Sequence, residues 1–459
     1  MFDPIKVIQE YLRFPSVSTD PDYKEGMEGA RSYMSSLLES IGCSVEVIKT
    51  PLHPIIMATL NDDTDWPHVI IYGHYDVQPA DPFDLWSSPP FEPEIRGNRI
   101  YGRGAADNKG PLLILISAVA RLLEKPEQLP LRITFLIEGE EETGSPSFGG
   151  FLKQYKDKLD GDFLLLSDTG CISPEQIVIT TGLRGVVGIE FEVTGAQSDL
   201  HSGFYGGAVL NPIQVVSEIC ASLHNQDGTI NIEGFYNDVR EVPNWEIEEL
   251  KGIESSEDDF AKLLGVKQFY TSNGYSPFAA VRFCPTLEFN GIGGGYQGEG
   301  NKTIIPSKAF AKITSRLVAD QNPEEITRLI SEAIKERCPP HVSLEVKEGH
   351  GGSPYLVVPP DHPNSTTDQS PTLTQAFRAA DRAISDVFGK PPLYLREGGS
   401  IPIIADLKNV VGLDSLMLGF VTPSDSIHGP NESFNLDLMG KAIDATERIL
   451  ASIANSREN

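Results

Sequence analysis

Cysteine is scarce in this sequence of 459 residues, and the five cysteines that occur are widely spaced. They are Cys43, Cys171, Cys220, Cys284 and Cys338, and no CxxC pair occurs among them. An odd number of scattered cysteines is not typical of a disulfide framework. We therefore expect reduced thiols in a reducing compartment.

Long apolar runs and targeting patterns are also missing. No stretch of about 18 apolar residues occurs, which argues against a membrane-spanning helix. Residues 1–14 have the apolar spacing of an amphipathic helix and not the pattern of a signal peptide. Together with the cysteine pattern, these features predict a cytoplasmic protein.

Positive charge is in short supply. Lys and Arg number 37 against 65 Asp and Glu, which gives a formal net charge of -28. Because so acidic a chain repels phosphate groups, we expect neither nucleic acid nor an anionic membrane as a partner. Hydrophobic residues (40%) and charged residues (22%) have the proportions of a soluble globular protein, and the length suggests about three domains.

The first part of the chain alternates helical patterns with short apolar runs. Apolar spacing of three and four predicts helices over 3–13, 24–42 and 109–124. Short runs typical of buried strands occur at 68–73, 131–137 and 162–167. This alternation predicts an α/β fold with a mostly parallel, buried sheet.

The pattern changes from about residue 186. Residues 187–193 and 309–317 alternate apolar and polar side chains, as half-exposed strands do. Helical patterns follow at 210–224 and 323–337, and an α/β pattern returns with a helix near 373–388 and a strand near 415–421. We therefore predict a first domain made of 1–185 and 365–459, interrupted by an α+β domain over 186–364.

Side chains that bind metals follow the three apolar runs of the first domain. These side chains are His74 and Asp76 after the first run, Glu138, Glu140, Glu141 and Glu142 after the second, and Asp168 after the third. Open α/β sheets bind ligands beyond the carboxyl ends of their strands, so these groups should converge. Asp107 precedes a predicted helix and His428 follows the late strand.

Each of these residues has a simpler interpretation when taken alone. Asp107 could be a helix N-cap, His74 a hydrogen-bonded core histidine, and the glutamates a solvated face. Adjacent glutamates at the end of a buried strand repel one another unless a cation compensates, however. The set as a whole predicts two divalent ions, with zinc favoured by the ligand types and manganese or cobalt possible.

Ten segments, in order along nearly the whole chain, carry a resemblance to a known family. They are FPSVSTDP (14–21), GHYDVQP (73–79), GRGAADNKG (102–110), EGEEETGS (138–145), SDTG (167–170), GLRG (182–185), DLHSGFYGG (199–207), NKTIIP (301–306), REGGSIP (396–402) and SIHGPNE (426–432). The sequence resembles the metallopeptidase family of aminoacylase, acetylornithine deacetylase and carboxypeptidase G. Within that family it is most similar to the branch of carnosine dipeptidase and cytosolic nonspecific dipeptidase.

The resemblance implies roles for the residues of the metal site. Asp107 would bridge two metals, with His74 and Asp168 on one, and Glu142 and His428 on the other. Asp76 would orient His74, and Glu141 would be the general base. A cis peptide bond would follow Asp107. One departure is Glu140, because the branch commonly has an apolar residue there; this carboxylate could shift the metal preference or the pKa of Glu141.

The resemblance also identifies the inserted domain as a ferredoxin-like lid and dimerisation domain on a dizinc exopeptidase scaffold. His201 would reach the active site of a partner subunit and stabilise the oxyanion. Arg316 would clamp the free carboxylate of the substrate. Further substrate contacts would come from Thr303, His350, Gly399 and Ser400.

These expectations predict a homodimeric two-metal hydrolase that cleaves dipeptides with metal-activated water. The alternative on the same scaffold is an N-acyl amino acid deacylase acting on acetyl or succinyl amino acids. A non-catalytic binding protein would have lost a ligand or the base, and this sequence retains all of them.

Overall fold

The computed structural model describes residues 2–126, 128–251, 253, 257–272, 274–349, 351–362, 365 and 369–455. The helices are α1 (Pro4–Tyr11), α2 (Lys24–Ser40), α3 (Gly110–Leu123), α4 (Phe148–Tyr155), α5 (Ser202–Tyr205), α6 (Pro212–Ser222), α7 (Asn244–Lys251), α8 (Glu257–Leu264), α9 (Pro277–Phe283), α10 (Pro323–Arg337), α11 (Pro371–Phe388), α12 (Pro402–Val411) and α13 (Leu436–Ala454).

The strands are β1 (Ser44–Ile48), β2 (Ile55–Leu60), β3 (His68–His74), β4 (Glu94–Arg96), β5 (Arg99–Tyr101), β6 (Arg132–Glu138), β7 (Phe163–Gly170), β8 (Val178–Leu183), β9 (Gly185–Thr194), β10 (Leu200–His201), β11 (Thr286–Gly294), β12 (Ile304–Ile305), β13 (Lys308–Leu317), β14 (Ser343–Glu348), β15 (Tyr355–Leu356), β16 (Leu393–Arg396), β17 (Ser415–Val421) and β18 (Ser433–Asn435). No helix among the described ranges is both long and apolar enough to cross a bilayer.

The chain forms two compact units. The first consists of Met1–Thr181, Val357–Leu395 and Asp406–Asn459, and the second of Gly182–Leu356 and Arg396–Ala405. The predicted segment 365–459 therefore contributes to both units. Its residues 396–405 belong to the second unit, where Arg396 forms a buried ion pair with Glu246 of α7.

A central sheet with strand order β1-β2-β6-β3-β7-β17-β8 forms the core of the first unit. Its middle strands are parallel, since β3 pairs in parallel with β6 and β7, and β7 pairs in parallel with β17. Every residue of β3 is buried, as expected of a strand that is covered on both faces. The predicted α/β fold class with a mostly parallel sheet is confirmed.

The parallel pairing places the carboxyl ends of three strands at one edge of this sheet. These strands are β3, which ends at His74, β6, which ends at Glu138, and β7, which ends at Gly170. Helix α3, which lies between β5 and β6 in the chain, is buried along nearly its whole length. Its Pro111 is in the first turn, where the missing N–H is tolerated. The segment just before α3 contains Asp107.

The second unit contains a four-stranded antiparallel sheet with the order β11-β13-β9-β14. Along β9 the side chains alternate between buried and half-buried, so one face of the sheet carries the apolar side chains. Residues of α6 and α10, among them Val216 and Ile330, join Phe191 and Ile313 of the sheet in one hydrophobic cluster. The sheet is therefore covered by helices on its apolar face.

Candidate metal centre

The predicted ligands in the first unit come from five separate segments, one of which contains Asp107. His74 is the last residue of β3, and Asp168 lies near the end of β7. Glu141 and Glu142 begin a short 3-10 turn, Glu141–Thr143, directly after β6. His428 lies in the loop between β17 and β18, where its backbone is in the left-handed region with φ 60°. Topology thus brings together residues that are far apart in the sequence.

Asp107 lies at the middle of this cluster, between two histidines. Its Oδ1 is 3.1 Å from Nε2 of His74, and its Oδ2 is 3.0 Å from Nε2 of His428. On the first side, Asp168 Oδ2 lies 3.8 Å from the same nitrogen of His74. On the second side, Glu142 Oε2 lies 3.5 Å from the same nitrogen of His428.

Two groups of three potential metal ligands result. They are His74, Asp107 and Asp168, and Asp107, Glu142 and His428, with the ligand atoms of each group within 4.8 Å of one another. Imidazole nitrogens and carboxylate oxygens are the donors that zinc and similar divalent cations take in proteins. The residues therefore fit two cations that share one carboxylate.

The charges of the cluster also favour a cation. Burial, followed by the nearby charge of Asp107, raises the pKa of Glu142 to about 8. Burial also raises the pKa of Glu141 well above its usual range, and neighbouring carboxylates add to the rise. Because a nearby cation favours the charged form of a carboxylate, divalent ions at this place would lower both pKa values.

Asp107 does not act as an N-cap. It lies inside the irregular turn Ala105–Lys109 with an extended backbone (φ -131°, ψ 99°), and α3 begins only at Gly110. The peptide bond between Asp107 and Asn108 is cis, as the resemblance implied. The carboxylate of Asp107 is therefore directed to the two histidines and not to the N–H groups of a helix.

Asp76 supports the histidine of the first group. Both residues are fully buried, and His74 Nδ1 lies 3.1 Å from the carbonyl oxygen of Asp76 and 3.3 Å from its carboxylate. A proton on Nδ1 can be donated to these oxygens, which leaves the lone pair of Nε2 available as a ligand. The other carboxylate oxygen of Asp76 accepts a hydrogen bond from the backbone N–H of Glu142.

Two arginines of the second unit form hydrogen bonds to the loop that contains the predicted substrate residues Gly399 and Ser400. Arg316 of β13 donates from Nη1 to Ser400 Oγ at 2.7 Å. Arg184 donates from Nε to the carbonyl oxygen of Gly398 and from its backbone N–H to that of Gly399. Burial, followed by the charge of Arg316, lowers the pKa of Arg184 to about 10. Both guanidinium groups thus flank residues 398–400, and a pKa of about 10 keeps Arg184 charged at neutral pH.

His201 and Thr303 lie beside each other in the second unit. The short strand β10, with His201, pairs with β12, and Ser202 N–H donates to the carbonyl oxygen of Thr303. His201 is exposed, and its Nδ1 accepts a hydrogen bond from Gly203 N–H at 3.0 Å. The proton of the neutral ring then belongs on Nε2, which can act as a donor. The predicted substrate residue His350 lies outside the described residues.

Comparison with known proteins identifies the family of this chain. The family model described as peptidase family M20/M25/M40 matches residues 70–452. The chain belongs to this family. It is therefore a metallopeptidase, and the predicted family is confirmed.

Three M20 relatives illustrate the branch within the family. A Cys-Gly metallodipeptidase of Schizosaccharomyces pombe is 30% identical over 449 residues, covering 94% of this chain and 91% of that protein. The Beta-Ala-His dipeptidase of Homo sapiens is 30% identical over 433 residues, covering 93% and 82%. The structure of an M20 family metallo-carboxypeptidase from Sulfolobus solfataricus has a TM-score of 0.86 and 29% identity, covering 99% of this chain and 100% of that one.

In this M20 peptidase, Glu140 forms hydrogen bonds with residues outside the two groups of potential metal ligands. It is 2% exposed, and one carboxylate oxygen accepts hydrogen bonds from Thr50 Oγ1 and His53 N–H. The other oxygen accepts the backbone N–H of Ser147. Its carboxylate thus links the connection between β1 and β2 to the residue just before α4, and it belongs to neither group of potential metal ligands.

Several residues of this M20 peptidase that contact the cluster are not predicted by the sequence pattern. Gln78 donates to the carboxylate of Glu142 at 2.7 Å, and Asn108 donates to that of Asp168 at 2.6 Å. In the second unit, Arg184 beside residues 398–400 is likewise not predicted. All three lie inside segments that carry the family resemblance, namely GHYDVQP, GRGAADNKG and GLRG, so that resemblance is the signal that could have found them.

Proposed function

We propose that this M20 peptidase is a dipeptidase that uses two divalent cations and a glutamate base to hydrolyse the peptide bond. The observation that carries the proposal is the position of Asp107, whose two carboxylate oxygens each face a different histidine. The names of the dipeptidases that are 30% identical over more than nine-tenths of this chain support the substrate class.

One cation would be held by His74, Asp107 and Asp168, and the other by Asp107, Glu142 and His428. When bound, such a pair polarises a carbonyl group and lowers the pKa of a water molecule. The mixed histidine and carboxylate donors favour zinc, and manganese or cobalt are also compatible.

Glu141 is the proposed general base. Its neighbour Glu142 belongs to a ligand group, whereas Glu141 belongs to neither and still borders the cluster. A carboxylate in that position can take a proton from the attacking water and then deliver it to the leaving amine.

Arg316 and Arg184 are proposed to hold the free carboxylate of the substrate. A guanidinium group can bind a carboxylate through two parallel hydrogen bonds. Two arginines beside residues 398–400 would therefore provide both the charge and the donors for this binding. Gly399 and Ser400, with Thr303 and His350, are proposed to contact the rest of the substrate. A requirement for a free carboxylate near the scissile bond would restrict the enzyme to removing the C-terminal residue of its substrate.

His201 is proposed to donate from Nε2 to the oxyanion in the active site of a partner subunit. Its exposure and its Nδ1 contact with Gly203 support a donor role that is directed away from its own backbone. In this proposal the second unit acts as the lid and dimerisation domain, and the protein is a homodimer. The cytoplasmic location remains a prediction.

A carboxypeptidase that removes the last residue of longer peptides is the second candidate, because the structure with a TM-score of 0.86 is that of a metallo-carboxypeptidase. The N-acyl amino acid deacylase is not favoured by the similarities described above. The dipeptidase, the carboxypeptidase and the deacylase all need a free carboxylate in the substrate. They differ in the group on the acyl side of the scissile bond: an amino acid, a longer peptide, or an acetyl or succinyl group.

A substrate panel separates these candidates. Metal-stripped protein is loaded with zinc, manganese or cobalt and offered dipeptides, tripeptides, tetrapeptides, and N-acetyl and N-succinyl amino acids. We expect kcat/KM to be highest for dipeptides by at least tenfold. Equal rates on tetrapeptides would identify a carboxypeptidase, and a preference for N-acyl amino acids would contradict the proposal.

A further inference from the structure

A buried carboxylate, Glu432, lies in the loop of His428 in the first unit and contacts the segment that presents Asp107. It is 0% exposed and follows His428 by four residues. It belongs to neither ligand group. Its side chain is nevertheless bonded to the turn that presents Asp107.

Four donors surround the carboxylate of Glu432. Oε1 accepts the backbone N–H groups of Ala106 at 2.8 Å and Asp107 at 3.0 Å. Oε2 accepts the backbone N–H of Gly104 and Nη1 of Arg103, both at 2.8 Å. Gly104 has φ 86°, a left-handed conformation that is easy only for glycine, and this turns its N–H toward the same oxygen. All the acceptor sites of the carboxylate are thus directed to the Asp107 segment.

Arg103 connects the same carboxylate to the loop of His428. The guanidinium is 1% exposed, and its Nη2 donates to the carbonyl oxygens of His428 at 3.2 Å and Pro79 at 3.0 Å. The loop needs such support, because Ser426, His428 and Asn431 all have positive φ values between 56° and 62°. Non-glycine residues adopt this conformation at a cost, so surrounding contacts have to hold it.

We propose that Glu432 and Arg103 form a positioning pair that fixes Asp107 and His428 relative to each other and thereby sets the affinity of one cation site. The inference rests on the proposed two-cation function. The site of Asp107, Glu142 and His428 depends on both segments that the pair joins. The site of His74 and Asp168 has two ligands on strands of the central sheet, so it should depend less on the pair.

The test measures metal affinity and not turnover alone. Metal-stripped wild type and Glu432→Gln are titrated with zinc in the presence of a competing chelator. Glutamine keeps the shape, but its amide nitrogen cannot accept hydrogen bonds, so at least one pair of donors loses its acceptor. We expect the affinity for one of the two zinc ions to fall by roughly 10- to 100-fold, the scale typical of groups that orient metal ligands. The other affinity should change by less than about threefold.

Glu246→Gln is the matched control. Glu246 is also buried and also pairs with an arginine, Arg396, through two contacts of 2.6 Å, but both residues lie in the second unit. We expect the substitution to lower the Tm of the metal-free protein, as we also expect of Glu432→Gln, and to leave both zinc affinities unchanged. Arg103→Lys is the second variant if Glu432→Gln does not fold; lysine keeps the charge but cannot reach all three acceptors, and the same site should weaken.

The outcomes separate the inference from the proposed function. Wild type that binds fewer than two zinc ions overturns the proposed function and the inference with it. Wild type that binds two ions, with Glu432→Gln or Arg103→Lys binding both at wild-type affinity, overturns the inference alone. An equal loss in Glu246→Gln would also overturn it, since the effect would then follow stability and not position.

Discussion

The two units of this chain concentrate opposite charges at their candidate sites. In the first unit, buried carboxylates lie close together and burial raises the pKa values of Glu141 and Glu142. In the second unit, Arg184 lies near Arg316, and burial with this like charge lowers its pKa. Each site therefore favours a counter-ion of the opposite sign, a metal cation in the first unit and a carboxylate in the second.

The difference shows how the two sites would divide the work of the proposed reaction. Carboxylates and imidazoles in the first unit can hold cations and move a proton, which is chemistry at the scissile bond. Arginines in the second unit cannot serve as bases at neutral pH and are suited to recognition. Substitutions in the first unit should therefore affect kcat, and arginine substitutions in the second should affect discrimination between substrates.

Glu141→Gln should have the largest effect on turnover. We expect kcat to fall by roughly 10²–10⁴, the scale of general acid–base catalysis, while both cations remain bound because their ligands are intact. Steady-state kinetics and metal analysis on the same sample measure this. Glu140→Gln is the control: it should lose stability, by about 1–3 kcal/mol, with kcat within a few-fold of wild type. Near-normal turnover in Glu141→Gln would disprove the assignment of the base.

His201→Ala tests whether the second unit also contributes to the chemical step. Loss of one oxyanion donor should lower kcat by roughly 10²–10³. If the histidine acts in a partner subunit, refolding equal amounts of His201→Ala and Glu141→Ala should make about half the dimers mixed, each with one intact site, and restore roughly a quarter of wild-type activity. Mixed dimers that form and stay inactive would show that His201 does not act across subunits.

Arg316→Ala should change discrimination more than turnover. For a dipeptide with a free carboxylate, kcat/KM should fall by roughly 10- to 100-fold, as expected for lost hydrogen bonds to a charged group, and the C-terminal amide should be little affected. Arg184→Met should act in the same direction with a smaller effect. Arg328→Ala, at an exposed arginine paired with Glu325 and Glu332, is the control. An unchanged preference for the free acid in both site variants would move the carboxylate site elsewhere.

Much of the first unit can be predicted from the sequence because one topological rule covers it. Ligands at the ends of parallel strands converge, and this rule alone predicts that His74, Asp168 and the glutamates lie close together. The direction of individual side chains cannot be predicted in this way. Glu140 adjoins Glu141 in the sequence, yet its carboxylate is bonded to Thr50, His53 and Ser147.

The second unit is harder to predict because its contacts join distant segments. Arg184 and Arg316 are brought together by the pairing of β9 with β13, where Val186 lies opposite Arg316. Residues 396–405 belong to the second unit, where Arg396 pairs with Glu246, 150 residues away in the sequence. Nothing in the local pattern of either segment indicates its partner.

The number of metal ions bound per chain tests the central claim most directly. Stripped wild type and Asp107→Ala are saturated with zinc, freed of excess metal and analysed for zinc and protein. Because Asp107 belongs to both ligand groups, we expect two ions per chain in the wild type and the loss of both from Asp107→Ala under the same conditions. A saturated, fully active wild type with one ion per chain, or an Asp107→Ala variant that retains two, would contradict the account.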